Sequence, residues 1–347
     1  MRVAWLVCRS MSRRGVLTVL VLSVVAAAST LAACSSDDDR LVVYSGRTKN
    51  LIGPLLEDFA DESGISIDVR YGESADLALL IDEEGGRTPA DVFISQSPGA
   101  VGFLDAGGRL AELPDELVAA VPEGDAAGDN GWVGLSGRVR TLVYNPELVD
   151  ATDLPDSVLD LTAAEYAGQV ALAPTNGSFQ DFVTVVRDQL GDDEAAAWLD
   201  GMAAGDPPTF DNNTAIVEAV GRGEVPMGLV NHYYAFRAKA EDPDLPVENH
   251  YFPDGDLGSS LLVTAASIVG DADMADQAEQ LVEFLLSPEA QQFFSEETFE
   301  YPLADGAEVN DALPPFDEIS KTRVDLAELG GGLERTTAMI DESGLND

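Results

Sequence analysis

Apolar positions along this chain follow two rhythms that take turns. Leu41-Val42-Val43-Tyr44 is a run of strand formers closed by Ser45-Gly46-Arg47, and beyond it Leu51, Leu55, Leu56 and Phe59 recur at helical spacing. That spacing predicts an amphipathic helix with one buried face. Residues 65–69 read as a second strand, Leu77, Leu80 and Ile81 as the stripe of a second helix, and residues 90–94 as a third strand. Strand and helix units alternating at this length predict an α/β fold with a parallel sheet covered on both faces.

The rhythm changes at residues 134–145, where Leu135, Val139, Leu142, Val143 and Tyr144 form a long extended segment punctuated by Arg138 and Arg140. A strand crossing between two lobes has this form. A second series follows, with strands over 170–173 and 227–230 and helices over 179–190, 193–202 and 214–221. Residues 261–269 are again apolar and extended, and helices are expected over 274–286 and 288–294. The chain is therefore expected to return to its first lobe, giving two lobes, an interlobe cleft and two crossing strands. The expected boundaries are 41–138 with 252–310 for lobe 1 and 139–251 with 311–347 for lobe 2. No solenoid-type repeat is visible.

The N-terminal residues change where the protein is expected to work. Arg2, Arg9, Arg13 and Arg14 precede an apolar run over 16–28 that is short for a membrane span. The run ends in Leu31-Ala32-Ala33-Cys34, and the chain then turns polar at Ser35-Ser36-Asp37-Asp38-Asp39. This resembles a bacterial lipobox, which implies a signal peptide over 1–33, lipid attachment at Cys34 and an acidic tether over 34–40. The plainer alternative is a secretory signal to which Cys34 is merely close. An anchored protein would sit outside the cytoplasm, on the outer face of the cytoplasmic membrane or in the periplasm. Cys8 would leave with the signal, so the mature chain has no internal disulfide.

Charge narrows the partners. The 347 residues carry 63 acids against 19 Lys and Arg, a net charge of −44, and loss of the signal removes four arginines and no acid. Nucleic acid and anionic lipid surfaces would be repelled. The acids are spread along the chain, which reads chiefly as a solubility adaptation.

Enzyme chemistry finds no inventory. There is no Gly-x-Ser-x-Gly elbow and no phosphate loop ending in Lys, and His232 and His250, the two histidines, lack a zinc-protease spacing. The informative segment is Val230-Asn231-His232-Tyr233-Tyr234, between an apolar strand and a helix with Phe236 and Ala238. Adjacent tyrosines point apart in a regular strand or helix, so both phenols reach one point only at an irregular strand-to-helix junction. A phenol ionises near pH of about 10, yet a hard trivalent cation stabilises phenolate enough to displace the proton at neutral pH. Ferric iron prefers such hard anionic oxygen. The competing reading is two tyrosines packed under a helix start.

Pro174-Thr175-Asn176-Gly177-Ser178 lies between a strand and a helix, with small residues that leave backbone amides free. A helix N-terminus of this kind suits an anion; it also suits a plain N-cap.

Taken in order, Val43-Tyr44-Ser45-Gly46-Arg47, Pro89-Ala90-Asp91-Val92-Phe93, Leu135-Ser136-Gly137-Arg138-Val139-Arg140, Asn231-His232-Tyr233-Tyr234 and Glu300-Tyr301-Pro302-Leu303 resemble the ferric-ion-binding periplasmic proteins of iron ABC importers. The resemblance implies the two-lobed periplasmic-binding fold and a binding protein rather than an enzyme. It carries two iron ligands onto Tyr233 and Tyr234, with Tyr144 as a possible third. A synergistic phosphate or carbonate would complete the shell, surrounded by Ser97, Asn176, Gly177, Ser178, Asn213 and Asn231, with Arg138 suited to contact the anion. It also implies an ABC permease as partner and a monomer that transports Fe3+. The pattern departs at Thr48, Lys49 and Gln96, where some family members offer a histidine, a tyrosine and a glutamate. The alternatives are a protein of the same fold that takes an oxyanion or phosphonate without iron, and a lipid-anchored hydrolase.

Overall fold

The computed structural model describes residues 40–323 and 332–346; the expected signal peptide, Cys34 and nearly all of the tether lie outside the described residues. Its architecture turns on one strand that belongs to two sheets. β1 (Leu41–Ser45) pairs in parallel with β2 (Ile67–Tyr71) and β3 (Val92–Ser95), and β3 pairs antiparallel with β8 (Leu261–Ile268). β4 (Val133–Tyr144) runs antiparallel to β8 through its first half, from Val133 opposite Ala266 to Val139 opposite Leu261. Through its second half it pairs instead with β6 (Met227–Asn231), from Arg140 opposite Asn231 to Tyr144 opposite Met227. β5 (Val170–Ala171) then extends this second sheet in parallel with β6, and β7 (Glu248–His250) adds to the other edge of β4. β9 (Tyr301–Pro302) joins the first sheet beside Ser136 and Gly137.

The chain thus forms two lobes, crossed outward by β4. The return crossing is interrupted: β7 closes the second sheet, a 3-10 turn at Leu257–Ser259 intervenes, and β8 opens the first. The switch occurs within two residues, where Val139 accepts from the His232 amide and Arg140 donates its amide to Ser260, both at 2.9 Å.

Helices cover each sheet for the reason the pattern implies. In α1 (Lys49–Ser63), Leu51, Ile52, Leu55, Leu56 and Phe59 are buried, and the helix stops at Gly64, whose φ of 74° brings its amide back to Ala60. α2 (Ser74–Glu84) buries Leu77 and Ile81. α3 (Pro98–Ala106) starts at a Ser97 cap with proline in its first turn, and the short α4 (Asp115–Val118) precedes β4. In the second lobe α5 (Gly177–Leu190) and α6 (Asp192–Ala204) pack through Phe179, Phe182 and Trp198, the Phe182 and Trp198 rings meeting edge-on at 5.5 Å. α7 (Asn213–Gly221) and α8 (Tyr233–Glu241) flank β6, while α9 (Ala275–Leu285) and α10 (Pro288–Glu296) return to the first lobe. α11 (Leu333–Ser343), which the apolar pattern did not single out, packs on α5 and α6 and touches α3.

The first lobe is tied together by a buried ion pair. Arg47, at the β1–α1 turn, places one guanidinium nitrogen 3.0 Å and 3.1 Å from the two carboxylate oxygens of Glu300 and 2.6 Å from Thr264 on β8. Ser136 on β4 donates to the same carboxylate, and both charged side chains are fully buried. Glu300→Ala would leave Arg47 as a buried, uncompensated cation, with an expected loss of about 3–5 kcal/mol. Urea unfolding checks this: the midpoint should fall with the slope unchanged.

Candidate functional site

β6 ends at Asn231 and α8 begins at Tyr233, so His232 alone makes the joint. Its φ and ψ of −52° and −41° are already helical. Its fully buried imidazole accepts from the Val139 amide at 3.2 Å and stacks on Tyr301 at 5.0 Å. Burial holds it neutral, with a pKa lowered to about 3. With the joint pinned, the first two residues of α8 turn toward the cleft, and the rings of Tyr233 and Tyr234 stack at 4.1 Å and 28°. The expected irregular junction is not found: His232 is helical and both tyrosines stand in the first turn of α8, where their rings stack although successive helical residues diverge by about 100°.

Tyr233 is fully buried, and Gln96 from the opposite lobe donates to its hydroxyl oxygen at 3.2 Å. Desolvation, then the neighbouring Tyr234 and Glu300, push its ionisation well above the ordinary phenol range. Tyr234 lines the cleft itself. The cleft has a volume of 1130 Å3 and opens between residues 46–48, 50–51, 71–74, 76 and 96–97 on one side and residues 175–178, 211–212, 214–215 and 218, Tyr234 and Arg237 on the other.

The start of α5 forms its polar wall. Asn176 caps the helix by accepting from the Ser178 amide at 3.2 Å and from the Ser178 hydroxyl at 2.7 Å. Asn213, the first residue of α7, donates to Asn176 at 3.2 Å and to Ser178 at 2.9 Å. A Cβ placed on Gly177 would meet no atom within 4 Å, so the backbone faces open space there. Asn231 is fully buried with neither amide atom partnered, and the carbonyl oxygen of Asn213 is likewise free.

Ser97 lines the opposite side of the cleft, while Arg138 is fully buried and does not reach its lining. Arg138 donates to the carbonyls of Gln96 and Val263, the latter at 3.2 Å, and two of its nitrogens have no partner. Tyr144 is not brought to the cleft. It lies at the far end of β4, opposite Met227, and its hydroxyl donates to Glu248 at 2.8 Å. Burial, then Glu248, raise its pKa to about 12. Val143 and Tyr144 face opposite sides of the sheet, as alternation requires, and each packs into a separate apolar cluster. Of the three positions where the family pattern departs, Thr48 and Gln96 line the cleft, whereas Lys49 points outward to Glu57 at 3.6 Å.

Two buried charges were not singled out as site residues from the sequence. Arg140 donates to Ser178 at 3.3 Å and to the Leu229 carbonyl at 2.9 Å, with its guanidinium 5.6 Å from the Phe182 ring centre. Burial lowers its pKa to about 9, an effect that Tyr234 partly offsets and Arg138 reinforces. Strand alternation could have found it, since residues two apart share a face and Arg138 was already placed there. Asp181, one helical turn beyond Ser178, accepts from the Ser97 hydroxyl. The i, i+3 relation was its available signal.

A hard cation placed here would meet phenols, amides and hydroxyls, with the carboxylates of Glu73, Asp76, Asp211 and Glu218 on the same cleft lining. Among the described residues no cluster of three His, Cys, Asp or Glu could hold a metal ion. A cleft between two α/β lobes, lined by helix N-termini at the point where a strand changes sheets, is the architecture of a solute-binding protein. The chain belongs to the bacterial extracellular solute-binding protein family, whose sequence profile matches residues 87–320. It is similar to iron-bound HitA from Pseudomonas aeruginosa, at 33% identity and a TM-score of 0.84, over 88% of this chain and 99% of that one. The Fe(3+)-binding periplasmic protein of Serratia marcescens is 27% identical over 311 residues, 89% of this chain and 91% of the relative. The Trichodesmium protein IdiA (FutA), solved with iron and citrate, matches at 25% identity and a TM-score of 0.75, over 88% and 99% of the two chains.

Because Tyr144 is held by Glu248 away from the cleft, Tyr144→Phe should leave any tyrosine-to-metal absorption band unchanged. Its expected cost is one hydrogen bond, at most about 1 kcal/mol in chemical unfolding.

Proposed function

We propose that this protein captures ferric iron together with a synergistic anion and delivers both to an ABC importer. The observation that carries the reading is the stacked pair Tyr233 and Tyr234 at the cleft edge of β6, with no metal-holding cluster of three His, Cys, Asp or Glu among the described residues. Two phenolates are the hard anionic donors that Fe3+ prefers. Similarity to the iron-binding proteins of Pseudomonas aeruginosa and Serratia marcescens supports the same assignment.

In this reading the anion sits against the start of α5, held by Asn176, Gly177, Ser178, Asn213 and Asn231, with Ser97 and Arg138 in support. Arg140 joins that set through Ser178. Ferric iron with two phenolates keeps one positive charge, and two buried guanidinium groups lie behind it. A low-dielectric pocket so charged demands an anion. Phosphate and carbonate both fit the demand, and citrate is the further candidate that the Trichodesmium structure suggests. The same polar wall favours a second reading, capture of an oxyanion or phosphonate without iron.

We place lobe 1 at 41–138 with 252–310 and lobe 2 at 139–251 with 311–347. The change of pairing partner at Val139 and Arg140, and the packing of α11 on α5 and α6, support that division. The protein would act as a monomer held by a lipid on Cys34, near the permease that receives the iron.

Titration of the chain from residue 35 onward with ferric citrate should produce a visible phenolate-to-iron band. Tyr233→Phe and Tyr234→Phe should each shift or abolish it, and absence of a band at every anion composition would leave the oxyanion reading. Since Tyr233 holds its proton firmly before metal arrives, iron uptake should release about two protons per ion, one from each phenol. A pH-stat measurement reads that number directly. For the full chain, Cys34→Ser should move the protein from the membrane fraction to the soluble extracytoplasmic fraction.

A further inference from the structure

The buried carboxylate of Asp181 has no part in the iron chemistry above, yet it holds one of the anion-site hydroxyls. Asp181 is 1% exposed and lies on α5 in the second lobe. One of its oxygens accepts from the hydroxyl of Ser97, which caps α3 in the first lobe, and the other has no hydrogen-bond partner among the described residues. Ser97 meanwhile accepts from the Ala100 amide at 3.1 Å. A serine hydroxyl carries a single proton. While Asp181 is ionised, that proton is committed to Asp181, and Ser97 has none left to give an anion in the cleft.

The charged groups that face Asp181 are Arg138 and Arg140 from β4, together with the α3 amide of Gly99. Neither arginine forms an ion pair with it among the described residues. Ser178 lies one turn before Asp181 on α5 and is bonded by Arg140, so Asp181 sits directly behind the anion wall.

We propose that Asp181 is a positioning residue that sets the strength and pH dependence of anion capture by controlling whether Ser97 can donate to the anion. The inference rests on the anion reading above. When Asp181 takes up one proton from solvent on its unpartnered oxygen and turns it toward Ser97, the carboxyl becomes the donor and Ser97 the acceptor. The serine proton is then released to the cleft, and one negative charge behind the anion disappears. Burial raises the Asp181 pKa to about 6, against the opposing pull of Ser97, Arg138, Gly99 and Arg140. Anion binding is therefore weaker above that pH and stronger below it. The sign for folding agrees: a carboxyl whose pKa is raised in the fold costs stability once it is ionised, and that cost is absent in acid.

The test uses inorganic phosphate on the iron-loaded protein, with affinity read from the anion-dependent shift of the absorption band between pH 5 and 8. Asp181→Asn keeps the shape and mimics the protonated acid, because its amide donates to Ser97. It should bind phosphate about tenfold more tightly at pH 7.5, as one added charge-assisted hydrogen bond allows. It should also lose the protein's part of the pH dependence, the titration of phosphate itself being common to both proteins. In Asp181→Asn/Ser97→Ala most of the gain should vanish, leaving only the smaller part owed to the removed charge. An unchanged affinity in Asp181→Asn, or a gain that survives in full in the double variant, would overturn the proposal. Should Asp181→Asn fail to fold, the affinity ratio of wild type to Ser97→Ala must approach one above pH 7 and grow below pH 6, and a constant ratio would sink the idea. Loss of the iron band in the wild type would count against the ferric reading instead, so the two failures are distinguishable.

Discussion

Membership of β4 in two sheets at once is the constraint from which the rest of the site follows. Its partner changes from β8 to β6 between Val139 and Arg140, and both halves are buried along their whole length. Residues 138 and 140 share one face of that strand. Two arginines must therefore enter the interior just where the lobes meet. They are tolerated because carbonyl oxygens of Gln96, Val263 and Leu229, the Ser178 hydroxyl and the rings of Phe179 and Phe182 receive them. None of these carries a full negative charge. Of the buried charges nearby only Asp181 opposes them, and burial, reinforced by Arg138, lowers the pKa of Arg140.

Two buried guanidinium groups and a phenol pair make opposite demands, and a cation with its anion answers both. Tyr233 does not ionise alone, because burial and Tyr234 oppose it. A trivalent ion supplies the field that removes the proton. In the proposed function the anion would in turn supply the charge that the guanidinium groups lack, and binding of the two would be coupled by electrostatics within one pocket. Gln96 and Ser97 of one lobe bond Tyr233 and Asp181 of the other.

Much of this was legible in the residues. Long apolar runs with helical or extended spacing found the elements of both sheets, since a buried face leaves a period in the sequence. The Asn231–Tyr234 segment marked the joint between β6 and α8, although the irregularity expected there is absent, since His232 is already helical. The α11 helix escaped notice: its buried contacts come from Leu333, Thr336, Met339 and Ile340, a stripe interrupted by a threonine that bonds Thr184 at 2.7 Å across to α5. Short strands such as β7 and β9, of three and two residues, exist only through pairing with β4 and leave no period to read. Tyr144 was attractive by type, but the strand places it four residues from Arg140, beyond about 13 Å along the chain. Asp181 was hidden by abundance, because among 63 acids no single carboxylate stands out until the fold buries it.

That abundance also explains why the site can be so unlike its surroundings. The chain carries a net charge of −44, and such a surface draws cations and repels free anions. Salt screens exposed charges beyond about 8 Å at physiological ionic strength, whereas groups inside the cleft act on one another through low dielectric. In the proposed site Arg138, Arg140, Asp181 and the two phenols would set the affinity together with the acids that line the cleft, while the outer acids govern solubility and encounter. The surface is free to become more acidic without detuning the pocket, provided that no added carboxylate enters the first turn of α5 or the gap between Ser97 and Tyr233. A single acid placed there would oppose the anion directly, which is the position that Asp181 already holds one turn behind.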